Sequence, residues 1–196
     1  MTVGRFSRAE LDRHRDQVVP DLLGPDPKLL FVGINPSLWT AAAGAHFARP
    51  GNRFWPALHA AGLTARLVDA SGGMDPDDER EVLDRGIGIS NLVARATARA
   101  DELSAEELVE GGRRLVRLVE RTGPVVVAVL GVTAFRAAFG RRSTRSGPQD
   151  EPFGAAGLWV LPNPSGLNAH ETVASLAEWY GRAADAAGIV PARPGR

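Results

Sequence analysis

Val125 to Leu130 reads VVVAVL, six apolar residues in succession, and the run stops at Gly131. Its length and β-branched content make it a strand, and the lack of alternation means that both faces are buried. Strands buried on both faces belong to parallel sheets, whose neighbours must be joined by crossovers, usually helices. The rest of the chain fits that demand. Leu29, Leu30, Phe31 and Val32 form a second apolar run, ended by Gly33; Ile87 and Ile89 lead into Asn91, Leu92 and Val93; Leu158 to Leu161 form a fourth run. The segments between them carry helix signals. Ser7 with Glu10 and Ser104 with Glu107 are capping boxes, and Asp75-Pro76 suits a helix start. The first of these helices is expected to break near Pro20, and the second to turn Leu108, Leu115, Val116 and Val119 inward. Asn52 or a neighbour opens a helix with Phe54, Leu58 and Ala61 on one face and Gly62 as its terminator. Phe135 and Phe139 mark another helix, and a last one is expected from about His170 to Ala187.

The fold class that follows is α/β: a three-layer α/β/α sandwich around a four-stranded, mainly parallel central sheet. At 196 residues and 44% hydrophobic composition, a single domain over residues 1–196 is expected, with residues 1–6 and 189–196 frayed.

Composition excludes several chemistries. There is no cysteine, so disulfides, thiolate nucleophiles and cysteine-ligated zinc or iron–sulfur centres are out. The histidines His14, His46, His59 and His170 lack metal-ligand spacing. Gly33 to Gly44 holds neither GxGxxG nor a Walker sequence, and no Gly-x-Ser-x-Gly elbow occurs. Formal net charge is zero, so the total does not announce a basic nucleic-acid binder, although a local patch is compatible with it. With no apolar run of membrane-spanning length and no signal-peptide core at the start, a soluble cytoplasmic protein is expected, nucleoid-associated when bound to DNA.

Chemistry is expected where strands end. Open α/β sheets bind ligands at the carboxyl ends of their strands. Asn35, Gly131 and Asn163 follow three of the expected strands, and Asn-Pro recurs at Asn35-Pro36 and Asn163-Pro164. Asn-Pro is also ordinary turn chemistry, and Phe47 taken alone suits a core equally well. What emerges is a cleft of asparagines, glycines and one aromatic, with no evident base or nucleophile.

GINPS, nine residues, then FARPGNRFW, followed far downstream by LPNPSGLN, resembles the mismatch-specific uracil-DNA glycosylases, bacterial relatives of thymine-DNA glycosylase. The resemblance runs from about Lys28 to Tyr180 and includes GISNLVARAT and GGRRL. It implies a four-stranded α/β/α sandwich. It also implies a DNA repair glycosylase that hydrolyses the N-glycosidic bond of uracil opposite guanine, with ethenocytosine and thymine as further lesions. In that family Asn35 would hold the attacking water. Ile34, Ser37, Phe47 and Asn163 would bind the flipped base, Phe47 by stacking and Ile34 through its backbone. Leu167 would be the wedge that replaces the base, with Ser165, Gly166, Asn168 and His170 contacting DNA. Asn168 with Glu171 also looks like a capping box whose helix could hold a phosphate, and Arg53 and the Arg141–Arg145 cluster are candidate phosphate contacts. No cofactor or metal is implied; the partner is double-stranded DNA with a mismatched or damaged base, and the protein a monomer.

Two positions depart from the family pattern. Ser37 stands where glycine is usual, which bears on the pocket. Asn168-Ala169-His170 replaces a common Ser-Arg ending, which bears on strand contacts. Lys28 is the only lysine and precedes the first strand, so no amine is expected near Asn35 to form a Schiff base; a monofunctional enzyme that leaves an abasic site follows. A weakly catalytic lesion-binding protein and a small-molecule nucleoside hydrolase are the rival readings.

Overall fold

The structure, a computed structural model, describes residues 6–192. Four parallel strands form the sheet: β1 (Leu29–Gly33), β2 (Ile87–Asn91), β3 (Val126–Leu130) and β5 (Gly157–Leu161). A fifth, β4 (Gly147–Pro148), pairs antiparallel with β5 at one edge, giving the order β2-β1-β3-β5-β4. The expected four-strand sheet thus gains a two-residue edge strand inside the loop after Arg145. Proline hides that addition from the sequence, because it reads as a strand breaker and is tolerated only at an edge.

Successive strand residues face opposite layers. Leu29 and Phe31 join a core with α3 (Phe54–Ala60), α4 (Pro76–Asp84) and α7 (Val173–Ala186). Leu30 and Val32 join the other, with α5 (Ala105–Thr122) and α6 (Val132–Phe139). The rings of Phe54 and Tyr180 lie 5.3 Å and 5.0 Å from that of Phe31, so aromatics knit the first layer to the sheet. The three-layer sandwich is therefore built by the period-two alternation of strands whose residues are apolar on both faces.

Several expected boundaries move. The first helix, α1 (Arg8–Asp12), ends well before Pro20. Val125 lies outside β3 and is 50% exposed. In α5, Leu118 is buried with Leu115 and Val119, whereas Val116 is exposed, since one residue beyond Leu115 turns about 100° around the helix. Ile189 packs into the first core and the Ala192 N–H reaches the Gly62 carbonyl, so the tail as far as residue 192 is docked rather than frayed. The rest of the expected fraying, at residues 1–5 and 193–196, lies outside the described residues.

The topology places the cleft. β1 is followed by helices of the first layer and adjacent β3 by α6 of the second, so a crevice opens between their carboxyl ends.

Candidate active site

Past Gly33 the chain leaves the sheet but not its hydrogen bonding. The Leu92 and Val93 N–H groups donate to the Gly33 and Ile34 carbonyls. Thr97 N–H donates to Pro36 O, and Leu38 N–H to Thr97 O. Residues 33–38 are therefore zipped to 92–97, and Asn35 sits in a stiff frame at the floor of a cleft of about 680 Å³.

The Asn35 amide is oriented by its neighbours. Nδ2 lies 2.7 Å from Thr97 Oγ1 and 3.2 Å from both Arg95 O and Pro36 O. Two of these are carbonyls, which only accept, and the Thr97 hydroxyl spends its proton on Arg99 O at 2.7 Å. Turning the amide over would face its oxygen with three acceptors. The NH₂ end is thus pinned, and among the described residues nothing donates to Oδ1. The Arg95 segment is itself held, as its guanidinium pairs with Glu107 and with Asp16 at 2.8 Å. The pairing holds the Glu107 carboxyl well below its usual range, at about 2. Sequence reading named neither Thr97 nor Arg95 as site residues; both fall in GISNLVARAT, the available signal.

Phe47 is both core and cleft. Its ring stacks on Phe54 with centroids 4.0 Å apart and also lines the opening. Its φ of 54° is left-handed, a strained conformation for a bulky residue that the surrounding packing must enforce. A Cβ on Gly33 would come within 3.2 Å of this ring and 2.5 Å of Asn91 Oδ1, so only glycine lets both groups close over β1.

Asn91 and His46 line the cleft beside Phe47, neither of them expected there. His46 Nε2 lies 2.9 Å from Pro20 O and must donate to it, which leaves Nδ1 as an acceptor 3.4 Å from Asn91 Nδ2. Burial pushes the His46 pKa down, so the ring is neutral. Arg114 fastens the other side of Asn91, bonding its carbonyl and the Asp21 carboxylate, each at 2.7 Å.

The other expected residues divide. Ile34 lines the cleft, but its carbonyl is taken by Val93 and its side chain lies against Gly131. Ser37 caps α2 (Leu38–Ala43): its Oγ accepts from Thr40 N–H and bonds the Thr40 hydroxyl, both at 3.1 Å. The extra hydroxymethyl relative to the family glycine is thereby turned to the helix it caps. Asn163 Oδ1 accepts from Ser165 N–H at 2.9 Å, an Asx turn that shapes the second loop.

That loop, 163–168, is held against the first motif by Arg53. Its backbone N–H donates to Pro164 O at 2.9 Å, and its guanidinium to Asn168 O at 2.8 Å and to Ser165 O and Gly166 O at 3.4 Å. Arg53 is therefore spent on the loop rather than held out for a phosphate. The carbonyls of Gly166 and Asn168 are turned to it rather than outward. A Cβ on Gly166 would sit 2.6 Å from Gly51 O, so this close approach requires glycine. Leu167 stands at the tip, 80% exposed. The expected Asn168–Glu171 cap does not form: Asn168 Oδ1 takes His170 N–H, and the capping box is Thr172 with Ser175. His170 is exposed in the loop ahead of α7, not within it. The Arg141–Arg145 loop follows α6, which runs away from the cleft, and Arg141 pairs with Glu151. Cations at the cleft are instead Arg49 and Arg99.

Asp101, paired with Arg99, is the one carboxylate lining the cleft. Among the described residues no group of three or more His, Cys, Asp or Glu could hold a metal. The site can stack a planar ring, offer amides to its edge and aim a water, but it has no strong base.

A solution NMR structure from Methanosarcina acetivorans, provisionally described as a uracil DNA glycosylase, matches this fold with a TM-score of 0.59 and 18% identity, over 84% of this chain and 93% of that one. The family model for the Uracil DNA glycosylase superfamily matches residues 20–184, from the segment that anchors His46 to the last turn of α7. With most of the chain covered, including both loops of the cleft, the protein belongs to the Uracil DNA glycosylase superfamily.

Proposed function

We propose that the protein is a monofunctional DNA glycosylase that releases uracil opposite guanine and leaves an abasic site, acting as a monomer. The carrying observation is the pinned Asn35 amide, whose free Oδ1 can accept a hydrogen bond from one water and aim it at the sugar carbon. An amide cannot take a proton at neutral pH, so the water is oriented rather than deprotonated. The glycosidic bond then breaks largely by departure of the base as its N1 anion; the water adds to the cationic sugar, and the proton it loses neutralises that anion, leaving an abasic sugar and free uracil. Backbone N–H groups around Ile34 and in the loop after it would stabilise that anion as an oxyanion hole does.

The flipped base stacks on the open face of Phe47. Asn91 offers both an N–H and a carbonyl oxygen, the pattern that matches the O4 and N3–H edge of uracil. Leu167 fills the gap left in the duplex, offsetting part of the few kcal/mol that flipping requires. Ethenocytosine and thymine are the further bases to be assayed beside uracil. Lys28 precedes β1, at the sheet end opposite Asn35, which supports hydrolysis without a Schiff base. A covalent DNA adduct trapped by borohydride would contradict that step.

Asn35→Ala should lower single-turnover uracil release from a U·G duplex by about 10²-fold or more, the cost of losing a positioned reactant, while leaving the melting temperature within a few degrees. Undiminished release would overturn the role of Asn35.

A further inference from the structure

A second groove, of about 630 Å³, adjoins the active-site cleft and shares Ser37, Arg49 and Ala98 with it. Trp39 forms one wall. Its Nε1–H donates to Ser71 O at 2.8 Å, and Phe6 meets its ring edge-on at 5.1 Å, so the indole is held in one orientation. One side of Trp39 packs on the first core and another lines the groove. Leu11, Leu38 and Pro50 add apolar wall.

The rim is cationic. Arg8 and Arg49 form no ion pair among the described residues, while Arg15 is neutralised by Glu102 and Asp12. An oriented indole sharing a groove with two guanidiniums that form no ion pair among the described residues matches one ligand chemistry: a planar base with its phosphates. In a duplex, base faces are already covered by their neighbours, so an aromatic wall has no access to them. An unpaired nucleotide has no such cover.

We propose that this groove is a second nucleotide subsite, which takes an unpaired nucleotide of the same DNA strand beside the one in the active site. Its base lies on Trp39 and its phosphates lie at Arg8 and Arg49. The subsite lets the protein hold single-stranded DNA in register with the cleft. This rests on the reading of DNA as substrate but not on catalysis.

The test is fluorescence anisotropy with a 5′-labelled single-stranded dT₁₀, compared with a uracil-free duplex. Trp39→Ala should weaken dT₁₀ binding about 5- to 150-fold, the range for loss of one base–aromatic stack, and leave duplex binding unchanged. Arg8→Glu, an exposed change that tests the groove without disturbing the core, should weaken dT₁₀ binding. Arg8→Ala should reduce its salt dependence by a log–log slope of about 0.7. Unchanged dT₁₀ affinity in both Trp39→Ala and Arg8→Glu would overturn the subsite, as would equal losses on single strand and duplex. Tighter binding after deletion of residues 1–5, with Trp39→Ala silent, would instead assign the groove to the chain's own start. Uracil release is not read in these arms, so a catalytically silent protein would sink the glycosylase reading and leave this one decided.

Discussion

The two loops that make the cleft are built in opposite ways. Residues 33–38 extend the sheet's hydrogen bonding past its end, and the catalytic candidate is fixed by side-chain and backbone acceptors on a neighbouring segment. Residues 163–168 have left the sheet; they are gathered by one guanidinium, with Leu167 exposed at the tip. Aiming a water needs a group held in place, so the first loop is stiff. The proposed wedge must stand clear of its own protein to enter another molecule, and the second loop meets that need by holding its backbone from beneath while leaving the Leu167 side chain exposed.

Substitutions can break this contrast, beginning with Asn35→Ala as the largest effect. Next is Leu167→Ala. It should reduce single-turnover release from a U·G duplex about 10- to 100-fold, because part of the few-kcal/mol flipping term loses its compensation. Release from single-stranded DNA and the melting temperature should be unchanged, since an exposed side chain away from packing contributes little. Equal losses on both substrates would place Leu167 in the stiff half instead.

Thr97→Val sharpens the comparison from the other side. It keeps the shape and removes one acceptor from the Asn35 amide, so activity should drop about 3- to 10-fold, the worth of one ordinary hydrogen bond. The loss should appear equally on single strand and duplex, mainly in the rate of the chemical step. A duplex-only loss would show that the two loops are coupled.

The smallest effect is expected from His46. Its folded pKa is depressed by burial, so the unfolded chain binds more protons between the two values. Stability therefore rises with pH there; the contribution is intact above the unfolded value of about 6.5 and declines as pH falls below it. Denaturant melts from pH 8 to pH 5 should show a drop in wild type that His46→Gln lacks. A matching drop in both would exonerate the ring.

Much of the fold was legible because the same residues carried both local and global signals. Val126 to Leu130 and Leu29 to Val32 are apolar on both faces, which only a covered parallel sheet accommodates. Capping boxes at Ser7 and Ser104 appeared as written, since their partners are three residues away in sequence. The cap expected at Asn168 failed because Thr172 with Ser175 offered a competing box nearby. Site residues fared unevenly for a related reason. Asn35 and Phe47 sit in motifs that announce themselves. Thr97, Asn91 and His46 act through partners far along the chain; GISNLVARAT contains the first two, but nothing local within it marks which residues line the cleft. Arg53 illustrates the reverse error: a lone arginine in a DNA-binding motif suggests a phosphate, yet its guanidinium is consumed by carbonyls 112 to 115 positions away.

By itself the sequence determined what short-range rules can encode: the apolar strands, the caps, the strand-end asparagines, and the motifs that pointed to the superfamily. The tertiary structure alone decided which way the Asn35 amide faces, what holds Asn91 beside Phe47, and how the 163–168 loop is held. Those are hydrogen-bond assignments among groups up to 115 residues apart, as between Arg53 and Asn168. Each depends on which acceptors the fold has left unsatisfied, a property no single segment possesses before the chain has closed around it.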